Sequence, residues 1–418
     1  MRLLYDGFIF LYATSSRIAS LFNPKARQFS AGRKGLTSKI ALAFRDNTAP
    51  VIWMHCASLG EFEQGRPVIE AFRELYPDHK ILLTFFSPSG YEVQKGYNNA
   101  DFIFYLPMDT ASNARKVVHA VRPVLAIFVK YEFWHYYTAE LSRQQIPLLS
   151  ISAIFREDQL FFKSYGGFYR RILLSFTHFF VQNDESLQLL KSIGVKSCTR
   201  AGDTRFDRVH QIVSQAKEIP VVRSFKGLSQ VFVVGSCWPD DMKVLTPFIN
   251  NKAASGALKF IVAPHEITEA FIGSIISSLE VKCERYSQIG SSIPDDCKVL
   301  IIDNVGMLSR LYRYGEFAFV GGGYGDGLHN ILEAACYGVP VFFGNLKYRK
   351  FAEAVELIRR GGAYAVADYA DLLRRYELLS TPENYRHANL VTRQYVEENL
   401  GATHTIMNYC DTILKQPI

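Results

Sequence analysis

The chain has 418 residues, room for two domains or three at roughly 100–200 residues each, which excludes a single small module. Hydrophobic residues make up 48%, charged residues 21% and aromatic residues 14%, a composition that fills ordinary cores and excludes global disorder. The net charge of +7 is carried by residues 1–45, and positive charge confined to one end is not the footprint of a nucleic-acid binder.

That segment opens with an apolar, aromatic stretch from Leu3 to Phe22 and continues through Lys25, Arg27, Arg33, Lys34, Lys39 and Arg45 with no acid before Asp46. A spanning helix needs about 20 mostly apolar residues. Asp6 and Arg17 leave only Gly7 to Ser16 uncharged between them, so the segment is expected to lie in a membrane interface with its basic residues on anionic head groups. A short spanning anchor and an ordinary first helix packed on the protein are the alternatives. Asp6 inside the apolar run argues against a cleaved signal, and basic residues after the apolar stretch would keep the domains in the cytoplasm.

From residue 51 onward, β-rich runs alternate with helical stretches. Strands are expected at Val51 to His55, Lys80 to Phe86, Phe102 to Leu106, Val124 to Val129, Pro147 to Ser152 and His178 to Gln182, with amphipathic segments between them. The pattern pauses around 205–229 and restarts with Val231 to Gly235, Lys259 to Ala263, Val299 to Asp303, Phe317 to Gly321 and Val339 to Phe343. Alternation of this kind implies βαβ units and two parallel sheets. The fold class is therefore α/β, with Rossmann-like domains at 46–215 and 216–385 and a helical tail at 386–418 that could brace the first domain. Such domains bind ligands beyond the carboxyl ends of their strands, so a shared cleft is expected there.

The loops after strands carry the candidate chemistry. After the first strand, Ser58-Leu59-Gly60-Glu61 combines a capping-type serine, a glycine for a sharp bend and a carboxylate at a helix mouth. Glu61 reads either as a helix-dipole partner or as a general base, and spacing alone does not choose. After the second strand, Ser87-Pro88-Ser89-Gly90 offers hydroxyls and amides suited to an anion, or a simple capped turn. In the second half, Gly321-Gly322-Gly323-Tyr324-Gly325-Asp326-Gly327 follows a strand and leads toward a helix from about His329 to Cys336. So many glycines permit close backbone approach to a ligand, and the helix start favours negative charge. Asn330 and Glu333, three apart, share a face from which a carboxylate could hold a ribose diol; a solvated helix face is the plain alternative.

Other chemistries are poorly supported. No GxxxxGK[ST] loop, His-Glu-x-x-His or Asp-x-Asp occurs, and Gly-x-Ser-x-Gly is missing. Adjacent Asp240 and Asp241 would point to different sides of their element. Seven cysteines form no CxxC pair and fit a reducing compartment. No metal and no cofactor are expected.

Together these blocks resemble the 3-deoxy-D-manno-oct-2-ulosonic acid (Kdo) transferases of lipopolysaccharide assembly, glycosyltransferase family 30, whose architecture is GT-B. The blocks are Ala31-Gly32-Arg33-Lys34-Gly35, His55-Cys56-Ala57-Ser58-Leu59-Gly60-Glu61, Thr84 with Ser87-Pro88-Ser89-Gly90, and Tyr131-Glu132-Phe133-Trp134. They continue with Gly202-Asp203-Thr204-Arg205-Phe206-Asp207, Gly235-Ser236-Cys237-Trp238-Pro239, and Phe319-Val320-Gly321-Gly322 leading to His329-Asn330-Ile331-Leu332-Glu333. The resemblance implies that Glu61 is the base on the hydroxyl of a lipid A precursor and that Glu132 and Arg205 stabilise the transition state. It also implies a donor site for CMP-Kdo at Ser236, Trp238, Pro264, His265, Val305, Gly306, Met307, Gly322, Gly323, Asn330, Ile331, Leu332 and Glu333. Ser58, Gly60, Ser87, Ser89 and Gly90 would face the acceptor, and the enzyme would sit at the cytoplasmic face of the bacterial inner membrane. CMP-Kdo is then a substrate, and CMP leaves as a phosphate monoester with little need of acid assistance or metal.

Three motifs depart from the family pattern. Pro264-His265-Glu266 stands for the usual Pro-Arg-His, Gly306-Met307-Leu308 for Gly-Glu-Leu, and Gly327-Leu328-His329-Asn330-Ile331-Leu332-Glu333 for Gly-Gly-His-Asn-Pro-Leu-Glu. The implied function is inverting transfer of Kdo from CMP-Kdo to a lipid A precursor. A GT-B UDP-sugar transferase or a sugar-nucleotide epimerase is the second enzyme reading. An exported two-domain solute-binding protein is the non-enzymatic one.

Overall fold

The computed structural model describes residues 1–290, 293–325 and 327–415. The chain divides into two compact units, the first comprising Met1–Arg208 with the chain from Leu400 onward, the second Val209–Asn399. Each is built on a seven-stranded sheet whose pairs are all parallel.

The first sheet contains β1 (Val51–Cys56), β2 (Lys80–Phe85), β3 (Phe102–Tyr105), β4 (Pro123–Val129), β5 (Leu148–Ala153), β6 (His178–Val181) and β7 (Cys198–Arg200), in the spatial order β3-β2-β1-β4-β5-β6-β7. The second contains β8 (Val231–Cys237), β9 (Lys259–Pro264), β10 (Cys283–Arg285), β11 (Val299–Ile301), β12 (Phe317–Val320), β13 (Val341–Gly344) and β14 (Ala363–Val366), ordered β10-β11-β9-β8-β12-β13-β14. Because all strands of a sheet run the same way, the loops after β1, β2 and β4 leave one edge of the first sheet. Those after β8, β9, β12 and β13 leave one edge of the second.

Alternation along β1 sends Val51 and Trp53 into a layer with Leu36, Ile40, Val117 and Tyr137. Ile52, Met54 and Cys56 enter the opposite layer with Phe62, Phe72 and Ile406. Both faces are covered, which is why the strands read as unbroken apolar runs. In the second unit, Phe232 and Val234 of β8 pack with Leu245, Phe248, Ile272 and Phe319.

The units are not cut at 45, 215 and 385. Residues 1–45 form the helices Arg2–Ala19, Pro24–Ala31 and Leu36–Ala43, and Leu36, Ile40 and Phe44 join the first core. The division falls inside the helix Thr204–Ser214. The helix Pro382–Glu397 belongs with the second unit, and the chain returns to the first at Leu400, turning through Gly401, at φ +101°, into the helix Ala402–Leu414. Its Ile406, Met407 and Cys410 pack in the layer that holds Phe62 and Phe72.

The first helix is divided between packing and exposure. Tyr5 donates its hydroxyl to Asp109, Arg2 donates through Nε to the Tyr136 hydroxyl at 3.1 Å, and Ile9 is buried. Leu3, Leu4, Phe8, Phe10 and Leu11 are exposed. Among the described residues no helix is long and apolar enough to cross a membrane.

Candidate active site

In the first unit, the chain leaves β1 through Ala57 and Ser58 and enters the helix Leu59–Leu75 with Glu61 in its first turn. Ser58 holds an extended N-cap conformation, but its hydroxyl caps no amide; it donates to the Glu61 carboxylate instead. The sharp bend expected at Gly60 is absent. Gly60 sits inside the first helical turn, where an added Cβ would meet only Ser58 Oγ at 3.7 Å. Tyr131, which follows β4, feels the charge of Glu61; burial raises its hydroxyl, and the charge and hydrogen bond of Arg156 oppose this.

Glu132 is nearly buried. Its Oε2 accepts from Trp134 Nε1 at 2.7 Å and contacts His55 Nε2 at 2.9 Å. His55, on β1, has no exposed surface, and Thr84 is its cross-strand partner on β2. His55 Nδ1 lies 2.9 Å from Thr84 Oγ1, which also accepts from Trp53 Nε1 at 2.8 Å. Arg205, at the start of the helix Thr204–Ser214, is gripped by buried Asp203, to which Gln64 of the Glu61 helix also donates at 2.9 Å. The first unit thus carries Glu61, Glu132 and Arg205, each held by other side chains. His55, Thr84 and Asp203 lie inside sequence blocks that gave them no role, and Gln64 lies outside them all.

Ser87 and Ser89, expected to face an acceptor, are adjacent, with Ser87 Oγ 2.7 Å from Ser89 Oγ at the start of the helix Pro88–Gln94. Gly90 is a packing residue: a Cβ there would lie 2.3 Å from the Phe85 ring.

In the second unit, Ser236 takes a positive φ of 51° at the end of β8, and Trp238 opens the helix Pro239–Ala254. Trp238, His265 and His329 form a cluster of near-parallel rings. His265 lies 4.4 Å from Trp238 and 4.5 Å from His329, and Trp238 Nε1 donates to His329 Nε2 at 3.0 Å. His265, in place of the family's arginine, is thus an exposed ring on this cluster, positioned by buried Pro264 at the end of β9.

The glycine loop has a different basis from the expected one. A Cβ at Gly321 would lie 2.2 Å from Ser236 O, one at Gly322 2.2 Å from Gly327 O, and one at Gly323 2.5 Å from Gly344 O. Those glycines let the protein's own backbone segments approach, not only a ligand. Buried Asp241 fastens the loop by accepting from Trp238 N at 2.8 Å and Gly322 N at 2.9 Å, and burial raises its carboxyl to about 6. Asp240 accepts from Lys243 through Oδ1 at 2.6 Å, with its Oδ2 beside Gly325. Asp326 lies outside the described residues.

The helix after the loop is shorter than the expected one. It is the single turn Leu332–Ala335, too short to supply the helix-end field expected from His329 onward. Ile331 and Leu332 are buried core residues, so only their backbone is available to a ligand. Asn330 and Glu333 do meet, Nδ2 to Oε1 at 3.4 Å. Val305 is 90% exposed and Gly306 has φ +89°, whereas Met307 is buried with Sδ accepting from Asn304 at 2.9 Å. Lys350 Nζ approaches the loop at Gly327, a cation the sequence reading missed.

A family model described as 3-deoxy-D-manno-octulosonic-acid transferase (kdotransferase) matches residues 31–208. The chain is 27% identical over 346 residues to the 3-deoxy-D-manno-octulosonic acid transferase of Aquifex aeolicus, covering 81% of this chain and 89% of that one. It is 27% identical to that of Rickettsia felis, covering 84% and 75%. Among solved structures, MurG of Acinetobacter baumannii superposes with a TM-score of 0.56 at 12% identity, over 88% of this chain and 100% of that one. The UDP-GlcNAc 2-epimerase of Neisseria meningitidis, solved with UDP-GlcNAc bound, gives 0.59 at 16% identity over the same shares. The structural likenesses bear out a two-sheet α/β fold of GT-B type. The sequence matches bear out the resemblance to the Kdo transferases and, with it, the reading of the chain as a glycosyltransferase.

Proposed function

We propose that this protein transfers Kdo from CMP-Kdo to a hydroxyl of a phosphorylated lipid A precursor, with inversion and without a metal, at the cytoplasmic face of the inner membrane. The observation that carries the reading is that Glu61, Glu132 and Arg205 all fall within the stretch matched by the family model. Glu61 takes the proton of the acceptor hydroxyl as its oxygen bonds to the anomeric carbon. The bond from that carbon to the phosphate oxygen breaks, and CMP leaves with the electron pair. Arg205 offsets charge gathering on the departing phosphate, and Glu132 lies near the electron-poor sugar carbon. The second unit holds the donor, with its glycine loop, the Trp238–His265–His329 cluster, and Asn330 with Glu333.

A membrane-facing role for the N-terminus is supported by the exposed apolar residues of the first helix. An open groove of about 730 Å³ beside it is lined by Arg2, Arg17 and Arg33, against Asp6 and Asp109, together with Ile9 and Phe10. An anionic lipid surface complements both features.

Mass analysis of products from CMP-Kdo and a tetraacylated precursor tests the function, with UDP-sugars as controls and a chelator added in parallel. A Kdo-extended lipid is expected, and its formation should vanish in Glu61→Gln while CMP binding persists. Transfer from a UDP-sugar alone, or undiminished turnover by Glu61→Gln, overturns the reading.

A further inference from the structure

We propose that His55 is a positioning residue that fixes the Glu132 carboxylate, through a chain of hydrogen bonds running Trp53, Thr84, His55, Glu132. The proposal rests on the reading of Glu132 as a group of the reaction.

The direction of the chain follows from the donors available. An indole N–H only donates, so Trp53 Nε1 fills one acceptor position of Thr84 Oγ1 at 2.8 Å. The Thr84 hydroxyl proton then has two candidate acceptors, His55 Nδ1 at 2.9 Å and Met54 O at 3.5 Å, and the nearer is the imidazole. A carboxylate only accepts, so the 2.9 Å contact of His55 Nε2 with Glu132 Oε2 puts a ring proton on Nε2; Nδ1, 2.9 Å from Thr84 Oγ1 and 3.1 Å from Thr84 O, is then left to accept from the Thr84 hydroxyl. Trp134 Nε1 lies 3.3 Å from His55 Nε2 but only 2.7 Å from the same carboxylate oxygen, to which it donates.

Two donors therefore converge on Oε2, while Oε1 has no hydrogen-bond partner among the described residues. The carboxylate cannot rotate without breaking both bonds, so Oε1 keeps one direction. The ring itself is locked by burial and by the edge of Phe128 at 5.2 Å, its neighbour across β4. A histidine meant to exchange protons with substrate needs access, and this one has none. Its effect reaches the reaction through Glu132.

The full chain is tested with His55→Gln, which keeps a side-chain N–H directed at Glu132, His55→Ala, which removes it, and Thr84→Val, which frees the ring. Readouts are kcat and KM for donor and acceptor, thermal melting, and the indole N–H resonance of Trp134. His55→Ala should lower kcat about 100-fold with KM values little changed, the scale of a misplaced reacting group, and should move the Trp134 resonance. His55→Gln should stay within about tenfold of the unaltered protein, and Thr84→Val should fall between. In a Glu132→Gln background, His55→Ala should cause no further loss. The proposal is overturned by wild-type kcat in His55→Ala, by equal impairment of the Gln and Ala variants at unchanged melting temperature, or by a multiplicative loss in the double variant. Should His55→Ala fail to fold, the Gln and Thr84 variants decide the matter in the same way. Absence of any Kdo transfer by the unaltered protein would refute the function, whereas the Trp134 resonance still reports on the geometry: a shift in Thr84→Val supports it and none refutes it.

Discussion

Asp203 grips Arg205 at three points, its Oδ1 accepting from the Arg205 amide at 2.9 Å and its Oδ2 from Nε at 2.9 Å and Nη2 at 2.8 Å. Burial pushes the Asp203 carboxyl up, but the charge and hydrogen bonds of Arg205 outweigh it and hold the group below the usual carboxylate range. Gln64, one turn beyond Glu61, donates to the same oxygen at 2.9 Å. The helix that carries Glu61 and the start of the helix that carries Arg205 are therefore tied through one buried carboxylate. Asp203→Asn keeps the volume but loses the charge, and its amide opposes the guanidinium. Turnover should fall about 100-fold with donor KM moving less, measured by steady-state kinetics beside a melting curve. Equal loss in KM and kcat would place Arg205 in ground-state binding instead.

Asp109 sets a pH dependence of stability. Burial raises its carboxyl to about 6, although Tyr5 and the amides of Tyr136 and Tyr137 donate to it. A carboxyl raised on folding keeps its proton in the native state between roughly pH 4 and pH 6, where the unfolded chain has already lost it. Its contribution is therefore present below about pH 4, declines as pH rises through 6 and is flat above, with a cost on the order of 3 kcal/mol at neutrality. Asp109→Asn should remove that slope. Denaturant titrations of both proteins from pH 4 to pH 8 should give a difference curve that rises in favour of the variant up to about pH 6 and then levels. A flat difference would mean the carboxyl ionises freely in the folded state.

The glycine loop allows a comparison within a few residues. Gly321→Ala would drive a methyl to 2.2 Å from Ser236 O, where only backbone can give way. A loss of about 1–3 kcal/mol is expected from such overpacking, together with weaker CMP binding. Gly325→Ala would meet only Asp240 Oδ2 at 3.6 Å and should stay within about 0.5 kcal/mol. Thermal denaturation and calorimetric CMP titration compare the two, and parity would show that the loop tolerates a shift of β8 against β12.

What was legible in the sequence follows the same physics. Central strands such as β1 and β8 are buried on both faces and announce themselves as apolar runs. The unanticipated strands β7, β10 and β14 all lie at sheet edges and read Cys-Thr-Arg, Cys-Glu-Arg and Ala-Tyr-Ala-Val, too short and mixed to stand out. Glu61, Glu132 and Arg205 were visible as motif members. Their holders His55, Thr84, Gln64 and Asp203 were not assigned, because a hydrogen bond between β1 and the residue after β4 is fixed by sheet order and not by spacing along the chain. The five glycines read in sequence as a ligand loop, whereas three of them answer to neighbouring backbone.

The first helix should separate membrane binding from folding by face. Its Tyr5 reaches Asp109, and its Tyr12 ring lies 5.9 Å from Phe86, which is 4.7 Å from the Trp134 ring that donates to Glu132. Deleting residues 1–22 therefore removes contacts that lead to the site, and loss of activity on a detergent-dispersed acceptor is expected along with loss of membrane association. Point changes divide these effects. Leu3→Ser, Leu4→Ser and Phe8→Ser alter side chains that are 85%, 69% and 61% exposed, so the triple variant should melt as the unaltered protein does yet leave phosphatidylglycerol vesicles in a flotation assay. Tyr5→Phe should do the reverse, keeping vesicle binding while losing about 1 kcal/mol of stability from the missing hydrogen bond. A triple variant that floats with vesicles undiminished would leave the apolar face without a membrane role. A Tyr5→Phe variant of full stability would detach the helix from the packing that leads to Glu132.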